Sequence, residues 1–141
     1  MGNHSLFVTP LYAGLLVLWY VALGLRVSSL RRQRRIFLGD GNDAELQRRI
    51  RGHGNFAEYV PLALLLMAIL EASGFSIYVI HAIGIVLLVS RMLHGCALSF
   101  TRHFAFGRIS GAGITYVLLA VEAVLCLYQA VVGHWLWCCA A

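Results

Sequence analysis

The sequence predicts an all-α integral membrane protein, a four-helix bundle formed as one domain over residues 1–141. Three observations carry that expectation. The chain is 60% hydrophobic and only 12% charged, with a mean hydropathy of +0.79, whereas soluble domains lie nearer half apolar and a quarter charged. The apolar excess is gathered into four stretches, most near or above the ~20 residues that cross a hydrocarbon core of ~30 Å. All eleven basic residues are arginine, and eight of them (Arg26, Arg31, Arg32, Arg34, Arg35, Arg48, Arg49, Arg51) lie in one 26-residue segment from the end of the first stretch to the start of the second. A basic run placed between apolar spans reads as a cytoplasmic link, not a nucleic-acid surface. The lipid bilayer is thus the expected partner, and nucleic acid is not.

The first span covers about 6–27, apolar apart from Thr9, Pro10 and aromatic residues. Trp19 and Tyr20 lie inside it, so their polar atoms need neighbouring helices or backbone. The GDGND stretch, residues 39–43, is turn chemistry, and Asp43 before Ala44-Glu45 marks a helix start. The second span covers about 54–72 within a helix that begins near Asn42. Its uncharged part is short, so it can cross only if Asn55 and Glu58 enter the membrane zone. EASGFS is a short link to the third span, about 77–98. SFTRHFAFGRISG is a second basic link, and the fourth span covers about 113–137. The link between spans two and three and both termini lack arginine, which sets both termini away from the cytoplasm. With no basic stretch before the first apolar run, a cleaved signal peptide is not expected.

A charge at the bilayer centre costs about 2.5–3.5 kcal/mol on insertion scales, so intramembrane charges face a bundle interior or water. Arg51, Asn55, Glu58 and Tyr59 recur at helical spacing and form one stripe. Pro61 follows inside the apolar run, where it frees a backbone carbonyl. Arg91 and His94 share a face of span three, and Glu122 and Gln129 share one of span four. One reading pairs these groups with each other, Arg91 with Glu58 or Glu122. The other makes the stripe a binding site: Glu58 for an ammonium, Arg51 for a carboxylate, Asn55 for a peptide-like group. A small zwitterionic or anionic molecule of peptide character fits it.

No metal site is expected. The six histidines show no HxxxH or HExxH spacing, and Cys96, Cys126, Cys138 and Cys139 form no zinc or redox motif. His81 with His134 is the one pair placed for axial haem ligands, a weak signal.

The stretch RIRGHGNFAEYVPLALLLMAILEASG resembles the second-helix motif of the MAPEG family, the membrane-associated proteins in eicosanoid and glutathione metabolism. The family pattern R-x-x-x-N-x-x-E-[YT], often with a following proline, is met by Arg51, Asn55, Glu58, Tyr59 and Pro61. RMLH in span three resembles the family's R-x-x-H/Y, and RISG resembles its R-S element before the last helix. The likeness covers nearly the whole chain, and the GDG turn makes it more similar to bacterial members without an assigned reaction than to the mammalian synthases. It implies a bacterial inner-membrane homotrimer that binds glutathione as co-substrate between subunits at the cytoplasmic side. Arg51, Asn55, Glu58 and Tyr59 would hold the tripeptide. His53, His94 and Arg31 or Arg32 would approach it, and Arg108, or in a shifted alignment Arg102, would face its sulfur as the catalytic residue. A tyrosine that the family often carries four residues after the R-x-x-H position is absent; Leu98 stands there, which removes one contact.

The implied chemistry is within reach of one guanidinium. A free thiol has a pKa of about 8.5, and lowering it by roughly two units takes about 2.7 kcal/mol. An arginine ~4 Å from the sulfur supplies about 4 kcal/mol at an effective dielectric of ~20, so one well-placed arginine is sufficient and no proton-accepting base is expected to be needed. The expected function is a membrane-bound glutathione transferase or peroxidase acting on a lipophilic small molecule that arrives through the lipid. The alternative is a non-catalytic member whose polar stripe is structural. A channel is a weaker third, because few polar residues align to line a pore.

Overall fold

The computed structural model describes residues 6–101 and 105–140, the side chains of 105 and 134–140 excepted. Four helices follow one another: α1 (Val8–Arg34), α2 (Ala44–Ala72), α3 (Ile77–Ser99) and α4 (Ala105–Ala140). Each contains a stretch long and apolar enough to span a membrane. α2 and α3 form the central pair. Each touches both outer helices, while α1 and α4 do not pack on each other among the described residues.

A heptad spacing sets this arrangement. On α2 the buried residues from Phe56 onward are Phe56, Val60, Ala63, Met67 and Leu70, alternating steps of four and three. On α1, Thr9, Leu16, Leu23 and Leu30 recur every seven residues. Such seams keep one stripe facing the neighbours and suit helices crossing at a shallow angle. The same register on α3 and α4 places polar residues inside: Ser90, Arg91 and His94 on α3, Thr115 and Glu122 on α4. Two glycines allow close approach. Gly84 receives the Tyr12 ring of α1, and Gly111 lies where a Cβ would come within 2.7 Å of the Ser90 carbonyl and 2.9 Å of the His94 Cβ.

α1 continues past the apolar span through Arg31, Arg32 and Arg34. Arginine is a good helix former, and cations in a last turn complement the helix dipole. α4 starts at Ala105, well before the expected Gly113. That stretch reads as a basic link, but its second half is helical and packs on α3, where Arg91 and His94 reach the backbone carbonyls of Gly111 and Arg108. α2 starts after Asp43, whose carboxylate accepts the backbone N–H groups of Glu45 and Leu46 at 2.9 and 3.0 Å.

The two ends of the bundle are fastened differently. At one end the Glu71 carboxylate of α2 accepts N–H groups from Phe7, Val8 and Thr9 at 2.7, 2.7 and 2.8 Å, closing the N-terminus of α1. At the other, arginines are the fasteners. Arg26 donates to the Ser99 carbonyl at 2.8 Å through Nη2 and lies 3.8 Å over the Phe100 ring. Arg49 donates to the Arg26 carbonyl and pairs with Glu45. Arg31 donates to the Gly39 carbonyl at 2.7 Å, and Arg34 pairs with Asp43 at 3.3 Å.

Candidate functional site: a cationic pocket between three helices

At the arginine end, α2, α3 and the start of α4 enclose a pocket of about 310 Å³, at the low end of the range for small-molecule sites. Its wall is made by Gln47, Arg48, Arg51 and Asn55 of α2, His94 and Leu98 of α3, and Arg108 of α4. On α2 these residues follow helical spacing, so a single face supplies four of the seven.

Behind the wall, Arg91 is fully buried and donates to the Asn55 Oδ1 at 2.9 Å and to the Gly111 carbonyl at 2.9 Å. That bond turns the Asn55 amide N–H groups, not its oxygen, toward other partners. Arg91 makes no ion pair with Glu58 or Glu122; the tie across the bundle is a charge-assisted hydrogen bond. Glu58 sits instead on the outer flank of α2, 3.9 Å from Arg51, with both side chains more than half exposed. His94 is 6% exposed, and its Nδ1 lies 3.0 Å from the Arg108 carbonyl. Because a carbonyl only accepts, Nδ1 carries the hydrogen. Nε2 is buried and has no partner among the described residues.

The structure thus brings Arg51, Asn55, His94 and Arg108 into one pocket and places the other sequence candidates elsewhere. Tyr59 accepts a hydrogen bond from the Tyr116 hydroxyl at 3.2 Å, on the flank shared with Glu58. His53 faces α1, stacked on the Tyr20 ring at 4.2 Å. Arg31 is bound to its own link. Arg102, the alternative to Arg108, lies outside the described residues. Of the weak haem pair, His81 bonds the Tyr12 hydroxyl at 3.1 Å, and the His134 side chain is outside the described residues, as are those of Cys138 and Cys139. Cys96 and Cys126 are free thiols within helices. No cluster able to hold a metal occurs among the described residues.

Gln47 and Arg48 escaped the sequence reading. The signal was present, because Gln47, Arg51 and Asn55 are spaced by four and extend the stripe one turn toward the link. Arg48 is harder to find, being one of eight arginines in that region; the fold alone separates it from the fasteners.

The sequence model of the MAPEG family matches residues 9–128, which span all four helices and the whole pocket. The chain belongs to the MAPEG family. Among similar proteins, the inner membrane protein YecN of Escherichia coli K12 and that of strain O6:H1 are each 44% identical over 87 residues. That stretch is 62% of this chain and 66% of theirs, so the match spans just under two thirds of those relatives. MAPEG membership, four spanning helices and this likeness identify an integral, multi-pass membrane protein.

Proposed function

We propose that the protein is a membrane-bound, glutathione-dependent transferase or peroxidase. The observation that supports this reading best is the composition of the pocket: three guanidiniums (Arg48, Arg51, Arg108), the Asn55 amide and His94, with no carboxylate in the wall. A tripeptide with two carboxylates and a thiol suits such a surface, and the MAPEG family is linked to glutathione metabolism. In this reading Arg51 and Arg48 hold the carboxylates and Arg108 faces the sulfur. Glu58 and Tyr59, on the outer flank of α2, with Arg31 or Arg32 and His53, complete the site where a neighbouring subunit of a homotrimer packs.

The lipophilic partner reaches the thiolate from the lipid. An apolar groove of about 420 Å³ between α3 and α4, lined by Val86, Ser110, Gly113, Ile114, Val117 and Val121 among others, begins at Ser110, two residues from Arg108. The thiolate then attacks an electrophilic carbon. A C–S bond forms, the carbon–halogen bond of an aryl halide breaks, the halide leaves with the electron pair, and the thiol proton passes to solvent.

The test is conjugation of a generic aryl halide by the purified full-length protein. Activity should depend on glutathione, vanish in Arg108→Ala and fall in Arg51→Ala and Glu58→Ala. Unchanged rates in all three variants would sink the assignment.

A second reading, a non-catalytic protein with a structural polar stripe, is favoured by one contact: the Asn55 oxygen is committed to Arg91 inside the bundle. It expects no heat of binding with glutathione, and a Glu58→Gln variant that assembles poorly.

A further inference from the structure

Resting on the glutathione reading above, we propose that His94 is the proton acceptor for the thiol. Arginine near the sulfur makes a thiolate stable, but it does not receive the proton, since a guanidinium stays protonated in proteins. The question is where the proton goes at the moment the sulfur reacts.

The groups around His94 leave few choices. From its own helix come Arg91 and Leu98; from α4, Arg108; from α2, Arg48, Arg51, Gln47 and Asn55. The four arginines are donors only. The Asn55 oxygen is occupied by Arg91, and the Arg108 carbonyl by the His94 Nδ1–H. The Gln47 oxygen can accept a hydrogen bond but not a proton. Leu98 offers nothing. The His94 Nε2 is therefore the one basic atom among the described residues of this wall. It belongs to a side chain 94% buried and has no partner among the described residues.

The position is built, not incidental. Gly111 lets α4 seat directly on the α3 backbone at Ser90 and His94. That contact carries the Arg108 carbonyl to 3.0 Å from Nδ1, which fixes the ring's tautomer and leaves Nε2 bare. The same residue therefore contributes twice: its carbonyl orients the base, and its side chain lines the pocket.

The step balances as follows. The thiol S–H donates to Nε2. On binding, the proton passes from the sulfur to Nε2, which leaves a thiolate beside an imidazolium, and the S–C bond then forms with the sulfur's electron pair. The guanidinium of Arg108 faces the developing thiolate, and the Arg108 carbonyl faces the Nδ1–H of the charged ring. In a substitution the leaving group departs with its electron pair, and Nε2 returns its proton to water. In an addition Nε2 gives that proton to the new carbanion.

The test uses full-length protein in lipid nanodiscs with ¹⁵N-labelled histidine. Glutathione should convert one ring from a single protonated nitrogen to two, and S-methylglutathione, which has no thiol proton, should bind without doing so. In His94→Gln, kcat at neutral pH should fall about a hundredfold, a typical general-base contribution and a larger loss than that of glutathione affinity. The remaining rate should rise with pH where the wild-type rate is flat. A ring unchanged by bound glutathione overturns the proposal and leaves the glutathione reading standing. So does a His94→Gln variant with the wild-type pH profile. A wild-type protein that binds neither compound overturns both. Should His94→Gln fail to fold, the ring titration of the wild type still decides.

Discussion

The two ends of this bundle use the same chemistry to opposite effect. At the Glu71 end, one carboxylate meets three backbone N–H groups at the positive end of α1, and both its oxygens are occupied. At the arginine end, Arg26, Arg31, Arg34 and Arg49 are tied to carbonyls or carboxylates, but the pocket wall carries Arg48, Arg51 and Arg108 with no carboxylate among its residues. A charge matched inside the chain holds the fold. A cluster of like charge left facing a cavity is available for a ligand. Sorting arginines by what they touch therefore separates scaffold from site more cleanly than counting them.

The largest effect should come from breaking the matched end. Glu71→Ala removes three charge-assisted hydrogen bonds and leaves the N–H groups of Phe7, Val8 and Thr9 without an acceptor, for a loss of about 2–4 kcal/mol in unfolding experiments in detergent. Glutathione binding, some distance along the bundle, should persist in the folded fraction. Next in size, and opposite in sign, is Glu122. It is fully buried between helices, and neither carboxyl oxygen has a partner among the described residues. Glu122→Met should raise stability by about 1–3 kcal/mol, because it removes an unsatisfied polar group and keeps the volume. If Glu122→Met instead destabilises, the carboxyl has a partner in the assembled protein, and the rule drawn from the two ends needs amending.

Much of this was legible before the structure. Hydropathy and arginine placement suffice for four membrane helices, because the bilayer permits so few alternatives to a continuous helix. The stripe Arg51–Asn55 and the pair Arg91–His94 follow from helical spacing. What spacing cannot supply is the rotation of one helix against another. It suggested Arg91 against a carboxylate, whereas the heptad register brings Asn55 and the Gly111 carbonyl to it. The resemblance, not spacing, set His53 with the site residues; in the fold its ring stacks on Tyr20 of α1. The early start of α4, and with it the placement of Arg108 on a helix, was hidden because a stretch carrying two arginines reads as a link between spans.

At the arginine end a smaller change should separate binding from stability. The Arg51 side chain is 66% exposed and its pairing with Glu58 is long at 3.9 Å, so the pair adds little to folding. Arg51→Gln should leave the unfolding midpoint within about 0.5 kcal/mol of wild type and weaken glutathione about tenfold, or ~1.4 kcal/mol, by calorimetry. A variant that loses stability but not affinity would return Arg51 to the scaffold.

The smallest effect concerns Asp43, where the matched pattern recurs at the arginine end. The backbone N–H of Leu46, with that of Glu45 and the charge of Arg34, holds its carboxyl below the usual carboxylate range. A carboxyl whose folded value is depressed contributes stability above its unfolded value of about 4 and loses it as pH falls through the folded value. The wild type should therefore weaken slightly on acidification below about pH 4. Asp43→Asn keeps an oxygen for the two N–H groups, so its stability at neutral pH should change little, Arg34 being largely solvated. Its acid sensitivity should be shallower than that of the wild type. Unfolding followed at pH 7 and again in mild acid separates the two contributions: the capping geometry survives the substitution, and the part that disappears is the charge.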